Sequence, residues 1–577
     1  MTDIARASSN VEVEWQFDAI DLRPVERWLA TIESTVPWAS SVPGNGDGPW
    51  TNVEATPRST KHLFDTYVDT EDWRVGRSGY VLRVRRTGTR SEVTLKDTTT
   101  AVEGLRKRAE FTEPLPENGI EALGSLGPVA SRLHALAGDR SLHTVLEVHT
   151  TRQPYDLRIE GENVAEVALD ETSITTDDEQ RPTRLCRVEV EVEESWAEAL
   201  APLVEQLRGS CGLQPATLSK FEAGLLAAGL EIPGPPDLGP KRLPPSPSAG
   251  DVAYVVLRRN LTAMLAHEPG TRLGEDAEHL HDMRVATRRM RAALALFSDA
   301  LPGDSPQIRD ELGWLGRALG AVRDLDVQLE RLEEWEKDLP ESDRDALQEL
   351  TGLLRHDRAV ARDELLSCLN SPRYERLVSD FSEMLREGPP RSSAAGGAPA
   401  VAIVPDLVQS RHRAAVKSAK RARESGAADD YHQLRIRCKR LRYALEFVSE
   451  IYEGQTAKMV SHVVRLQDVL GFMQDARVAD ARLRELAIDD ARSLSPTTIF
   501  AMGAVAGRYR YEAARMRRSL PGLLKDLKGS PWQKTKAVME RKTVDLGAPF
   551  TWPAQPLADQ VVEHGTTNED GNAPPLR

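Results

Sequence analysis

Charges at alternating positions carry the chemistry of this chain. Near its start stands Val11-Glu12-Val13-Glu14-Trp15-Gln16-Phe17, with carboxylates at i and i+2. Successive strand residues point to opposite faces, so Glu12 and Glu14 share one face. Arg83 and Arg85 do the same in Val81-Leu82-Arg83-Val84-Arg85, and Glu189 and Glu191 do so in the alternating run Val188–Glu193. A single strand of this kind describes a sheet with one wet face. Several strands with both signs of charge point to a closed barrel whose lumen holds them, because barrel strands alternate interior and exterior residues. In such a lumen arginine and lysine would clamp a polyanion. The carboxylates would hold Mg2+ or Mn2+, hard cations that take oxygen ligands and bridge phosphate oxygens.

A second pattern has helical phase. His281, Arg284, Arg288 and Arg291 stand at i, i+3, i+7 and i+10, and so do His432, Arg435, Lys439 and Arg442, at an offset of 151 (281 to 432). At about 100° per residue each quartet falls within roughly 80° of arc on one helix face. Arg289 and Arg440 lie off that face. The match continues downstream: Leu319-Gly320, Asp324 and Val327 answer to Leu470-Gly471, Asp475 and Val478. Self-similarity at one offset marks a duplicated structural unit. No acid stands between His432 and Arg442, so pairing at i, i+4 within the segment cannot neutralise the row. A row of cations calls for anions opposite.

Composition sets the frame. A chain of 577 residues exceeds one core and implies several domains. Hydrophobic content of 40% and charged content of 28% fit a globular protein. The net charge of −14 argues against a general nucleic-acid binder, while leaving room for local anion sites. Cys186, Cys211, Cys368 and Cys438 form no CxxC pair and read as reduced thiols of a cytoplasmic protein. No apolar signal core and no run of 18 apolar residues is present, so no membrane association is expected. Residues 1–10 read as unstructured, 11–229 as a mainly strand-forming domain, and the Pro/Gly-rich 230–250 as a linker. Residues 251–527 read as helical, with repeats over about 251–388 and 402–527, and 528–577 as a disordered tail. The expected class is α+β multidomain, an antiparallel β-barrel followed by an all-α duplicated half.

The strand-rich half resembles a known family. Glu12-x-Glu14, Tyr67-Val68-Asp69-Thr70, Leu82-Arg83-Val84-Arg85, Thr94-Leu95-Lys96, Arg108-Ala109-Glu110, Arg152, Asp170, Glu189-Val190-Glu191 and Ser219-Lys220-Phe221 occur in the order of the CYTH, or triphosphate tunnel metalloenzyme, family, whose signature opens ExExK. The resemblance implies metal-dependent hydrolysis of inorganic tripolyphosphate or an organic triphosphate, by in-line attack of water without a covalent enzyme intermediate. It implies that Glu12, Glu14, Glu189 and Glu191 hold Mg2+ or Mn2+, with Glu110 and Asp170 as further candidates. Arg83, Arg85, Lys96, Arg108, Arg152 and Lys220 would grip the phosphates, and Glu12, Glu14, Arg83 and Arg85 would carry the catalysis. One departure stands out: Gln16 replaces the lysine of ExExK, keeping a hydrogen-bond donor and losing the charge. Slow hydrolysis, altered specificity and plain polyphosphate binding are all compatible with it, as is adenylate cyclase or thiamine triphosphatase chemistry on the same barrel.

The helical half resembles the CHAD domain, named for its conserved histidines. His281 and His432 head the matching helices, and Leu319–Val327 and Leu470–Val478 match the helices that follow. The resemblance implies a pair of helical bundles that binds inorganic polyphosphate through His281, Arg284, Arg288, Arg291, His432, Arg435, Lys439 and Arg442, extended by Lys417. The two histidines read either as phosphate hydrogen-bond donors or as helix-packing partners. Nucleic acid is the less favoured anion.

Overall fold

Residues that alternate in the sequence alternate across a sheet in the computed structural model. It describes residues 10–32, 53–98, 102–120, 123–124, 127–175, 183–337, 341–390, 393–489 and 494–544. The chain divides between Pro235 and Pro236 into two compact units.

The first unit holds strands β1 (Asn10–Ala19), β2 (Val53–Pro57), β3 (Lys61–Thr70), β4 (Tyr80–Thr87), β5 (Arg90–Asp97), β6 (Leu105–Pro114), β7 (Leu142–Ile159), β8 (Glu162–Thr175), β9 (Thr183–Val192) and the short β10 (Gln214–Pro215). Helices α1 (Arg23–Thr31), α2 (Arg74–Arg77), α3 (Pro128–Ala137), α4 (Ala197–Cys211) and α5 (Lys220–Ala228) accompany them. Hydrogen bonding runs β1-β6-β5-β4-β3-β7-β8-β9, and β9 pairs back onto β1, so eight antiparallel strands close a ring. The expected barrel is therefore present. Its outer face is sealed by apolar packing. Val13, Trp15 and Phe17 of β1 join Val188 and Val190 of β9 in a core under α1 and α4. Leu82, Val93, Leu95 and Phe111 pack beneath α3. These outward residues drive burial, and the charged alternates are thereby forced inward. The first turn of α5 is fixed by a capping box. The Ser219 hydroxyl accepts the Glu222 N–H at 3.2 Å, and the Glu222 carboxylate accepts the Ser219 N–H at 2.6 Å.

The second unit is helical: α6 (Ala249–Leu273), α7 (Ala277–Leu296), α8 (Ser305–Glu336), α9 (Glu341–Leu369), α10 (Pro372–Glu387), α11 (Ala394–Gly397), α12 (Ala400–Ser425), α13 (Ala428–Phe447), α14 (Ala457–Asp489), α15 (Pro496–Arg517), α16 (Leu520–Asp526) and α17 (Ser530–Val544). The duplication is visible at its root. Ala249 N–H donates to Ala398 C=O at 2.9 Å, and Ala400 N–H donates to Pro247 C=O at 2.9 Å. Those partners stand 151 apart (247 and 398, 249 and 400), so each repeat hydrogen-bonds its own counterpart, as a local twofold requires. The backbones meet closely here; a Cβ on Gly250 would lie 2.9 Å from the Gly396 carbonyl oxygen. One core draws on α6, α7 and α8 together with α12, α13 and α14. A second joins α8 and α9 to α14 and α15. Both repeats thus contribute to each core.

Boundaries differ from expectation in two places. Leu238, within the expected linker, is buried in the larger helical core. The expected disordered tail contains α17, whose Trp532, Val538 and Met539 are buried. Trp532 stacks on His412 at 3.5 Å with the rings 6° from parallel. Its scattered polar residues concealed an apolar stripe that has α12 to pack on. Residues 1–9 and 545–577 lie outside the described residues.

Trp532→Ala should lower the stability of the helical unit by about 3–5 kcal/mol, read as an earlier transition in thermal unfolding of the full chain. An unchanged transition would show that α17 does not dock.

A charged tunnel as candidate functional site

The inward residues line one cavity of about 180 Å³. Its wall holds Glu12 and Glu14 from β1, Arg83 and Arg85 from β4, Lys96 from β5, Arg108 and Glu110 from β6, Arg152 from β7, Glu189 and Glu191 from β9, and Lys220 from α5. Eleven of the twelve tunnel residues named from the sequence are thus gathered in one place (the twelve less Asp170). Asp170 is the exception. It lies directly across from Arg152 on the same inner face but is fully buried beneath the lining side chains, where Arg152 binds it in bidentate fashion at 2.8 and 2.6 Å and Lys220 also contacts it. Its oxygens are taken by cations, so in this structure it orients Arg152 and Lys220.

Register explains the pairing. Glu12 lies directly across from Arg108, Lys96 from Glu110, Asp65 from Arg85 and Arg152 from Asp170. Opposite charges at such cross-strand positions attract. Lys96 Nζ reaches Glu12 at 2.9 Å and Glu110 at 2.9 Å, and Arg108 Nε reaches Glu12 at 2.8 Å. Arg108 also grips Glu14, and Arg152 also grips Glu189, which accepts from Lys220 at 2.9 Å. The β1–β9 seam differs. There Glu14 faces Glu191 and Gln16 faces Glu189. Gln16 Nε2 donates to Glu14 Oε1 at 2.9 Å and reaches Glu189 Oε1 at 3.5 Å.

Some residues of the inner face escaped the sequence reading. Asp65 binds Arg85 through two 2.7 Å hydrogen bonds. It sits two residues before Tyr67 on β3, so period-two counting from Tyr67 finds it. Arg106 is buried and precedes Arg108 by two on the same face of β6. The motif Asp69-Thr70 turns out to be structural. Asp69 accepts N–H groups from Thr70, Val75 and Gly76 at 2.7, 3.0 and 2.8 Å and so builds the turn into α2.

The electrostatics separate the carboxylates. Burial opposes ionisation of Glu12, but Lys96 and Arg108 outweigh it and hold its carboxyl well below the usual range. Glu189 is held low in the same way, with Lys220 and Arg152 overriding burial. Asp65, buried beside Arg83 and Arg85, is pulled down to about 2. Glu14 goes the other way. Burial and the neighbouring Glu12 push it up to about 7, although Arg108 works against them. Glu191 is raised by enclosure in the wall and by Glu12, although its surface is open to solvent. Among the described residues no group of three or more His, Cys, Asp or Glu is gathered closely enough to hold a metal ion by itself. The donor set still suits a hard divalent cation: carboxylate oxygens with raised pKa face one another, and Gln16 Oε1 is buried without a hydrogen-bond partner.

In the helical unit the two basic faces lie on α7 and α13, which pack together. Arg284 approaches Asp324 at 3.6 Å across Gly320, where a Cβ would stand 3.6 Å from Arg284 Nε. Asp324 is 44% exposed yet crowded. Its carboxyl is raised by enclosure and by Asp475, against Arg284, Arg288 and Arg435. Cations of both repeats and the paired acids Asp324 and Asp475 therefore converge. Arg442 is held by Glu446 at 2.6 Å, and Glu446 also takes Arg289 of the other repeat at 2.5 Å. His281, His432, Arg291 and Lys439 are half-buried on the same helices, and Lys417 is exposed on α12. His432 Nδ1 is buried without a hydrogen-bond partner. No helix among the described residues is long and apolar enough to cross a membrane.

Glu14 supplies a pH test. Its folded value lies above the unfolded one, so between about pH 4.5 and 7 the folded state keeps a proton that the unfolded chain releases. Stability from this group therefore falls as pH rises through that window. Glu14→Gln should stabilise the chain more at pH 8 than at pH 4.5, by up to about 3 kcal/mol, in melts run with a chelator. An equal shift at both pH values would contradict the burial argument.

Comparison with known proteins follows the same division. The family model of the CYTH domain matches residues 47–224, downstream of β1, and that of the CHAD domain matches residues 255–484. Among solved structures, the CHAD domain from the plant Ricinus communis is 28% identical, with a TM-score of 0.41, over 49% of this chain and 93% of that one. PptA from Streptomyces chartreusis is 22% identical, with a TM-score of 0.40, over 48% and 100%. A putative adenylyl cyclase, HpAC1 from Hippeastrum, described as having a dominant triphosphatase activity, is 17% identical, with a TM-score of 0.27, over 38% and 98%. No curated protein sequence matches. The chain is thus a fusion of a CYTH domain with a CHAD domain that follows it.

Proposed function

We propose that the tunnel hydrolyses a phosphoanhydride bond of inorganic tripolyphosphate or an organic triphosphate, and that the helical domain binds inorganic polyphosphate. CYTH proteins are phosphoanhydride hydrolases or cyclases and generally use divalent metal ions. The observation that carries the reading is the internal compensation of the tunnel. Its acids are bound to its bases, in a closed lumen, at hydrogen-bond distance. A bare buried charge is costly, so neither set can be released alone. A polyphosphate bringing its own divalent cation exchanges partners with both sets at once.

In this reading Arg83, Arg85, Lys96, Arg108, Arg152 and Lys220 bind and orient the phosphates. Glu12, Glu14, Glu189, Glu191 and Glu110 would hold Mg2+ or Mn2+. When bound, the cation would offset charge on the phosphate oxygens and favour ionisation of a water nucleophile. Asp65 and Asp170 fix the guanidinium planes of Arg85 and Arg152. Positioning and charge stabilisation supply the rate, with water as the attacking group.

Arg83→Ala and Lys96→Ala should each lower kcat/KM for tripolyphosphate by roughly 10²–10³-fold, measured as phosphate release with Mg2+ or Mn2+. Parallel product analysis with ATP and thiamine triphosphate identifies the organic alternative and a cyclase. Absent turnover with every substrate, alongside retained polyphosphate binding, would leave a binding protein and end the hydrolase reading.

For the helical domain, Arg284→Glu with Arg435→Glu should weaken binding of long-chain polyphosphate by roughly tenfold or more. It should also flatten the salt dependence of that binding. Unchanged affinity, or stronger competition by RNA than by polyphosphate at matched ionic strength, would overturn the assignment.

A further inference from the structure

Gln16 is the position at which this chain departs from ExExK, and its surroundings are specific. Its side chain is 3% exposed and belongs to the tunnel wall. Its backbone is pinned on both sides: Gln16 N–H donates to Gly104 C=O at 2.8 Å, and Gln16 C=O accepts Ala216 N–H at 2.9 Å. Gly104 has φ +84°, and a Cβ there would lie 2.8 Å from the Gln16 carbonyl oxygen, so the loop that pins Gln16 requires glycine. The side-chain Nε2 spans Glu14 Oε1 at 2.9 Å and Glu189 Oε1 at 3.5 Å, while Oε1 is buried without a partner.

An amide carries two interchangeable ends. Rotation by 180° about Cγ–Cδ exchanges Oε1 and Nε2. The carbonyl oxygen then stands near Glu14 and Glu189, one from each strand of the seam. Three oxygens so placed repel unless a cation lies among them. An oxygen in the place of Nε2 would stand 2.9 Å from Glu14 Oε1, close to an edge of the octahedron set by the roughly 2.1 Å ligand distance of Mg2+, and 3.5 Å from Glu189 Oε1, and an amide carbonyl is an ordinary ligand for hard cations. We infer that Gln16 is itself a metal ligand, completing with Glu14 and Glu189 a divalent-cation site at the β1–β9 seam that a lysine in its place would block. Without a cation the same amide turns its N–H groups inward and bridges the two carboxylates. Arg108 on Glu14, with Arg152 and Lys220 on Glu189, compete for these oxygens. Phosphates that draw those cations away strengthen the site. This assignment rests on the metal reading of the tunnel.

The test is Mn2+ affinity of the full chain, with Mn2+ alone, read from the electron paramagnetic resonance signal of free aqueous Mn2+. Gln16→Lys and Gln16→Met should each weaken binding by roughly tenfold or more, while Gln16→Glu should match or exceed the wild type. Thermal melts establish that each variant is folded, and the near-isosteric Met and Glu variants serve if the lysine is not tolerated. Wild-type affinity in both the Lys and Met variants overturns the assignment. If the wild type hydrolyses tripolyphosphate with Mn2+ and those variants bind normally, only the role of Gln16 falls. If the wild type binds no Mn2+, the metal reading of the tunnel falls with it.

Discussion

Closure of the barrel at the β1–β9 seam is the constraint on which the tunnel depends. An open sheet would leave the inner face of β1 in water, where Glu12 and Glu14 need no partners. Pairing β9 onto β1 buries that face and sets Glu14 across from Glu191. Like charges directly opposite destabilise a sheet. The seam is tolerated because strands on either side bring compensating cations: Arg108 from β6, Arg152 from β7, Lys96 from β5 and Lys220 from α5. The apolar outer layer under α1, α4 and α3 supplies the free energy that makes this enclosure possible.

The same principle operates in the helical unit by a different geometry. Duplication places each basic face at the same phase of its helix, and the local twofold at residues 247–249 and 398–400 turns the copies toward one another. Rows of cations that would repel are interleaved with Asp324, Asp475 and Glu446. The copies are not equivalent in detail. A Cβ on Gly320 would touch Arg284 at 3.6 Å, whereas one on its counterpart Gly471 would meet open space. Symmetry of the backbone has outlived symmetry of the contacts.

An anionic chain with enclosed cationic walls has a functional logic. With a net charge of −14, the clusters of cations are local features that oppose the field of the whole chain. On the proposed reading, a phosphate that arrives with a divalent cation satisfies the acids and bases of the tunnel together. Gln16 fits this logic as a neutral residue in a densely charged wall, able to present a donor or an acceptor.

Local periodicity by itself determined the inward residues of β1, β4 and β9 and the phase of each basic helix face. These follow from bond geometry, which repeats every two or about 3.6 residues whatever the surroundings. The residues it missed, Asp65 and Arg106, obey the same period and lay within reach of it. Tertiary structure alone decided which acid meets which base, because cross-strand register joins residues such as Glu12 and Arg108 that are distant in the chain. It also decided that Asp170 is buried beneath the lining, that Asp69 builds a turn, and that Trp532 belongs to a docked helix. Each of those outcomes depends on burial, and burial is a property of the neighbours that long-range packing brings, which no local pattern records.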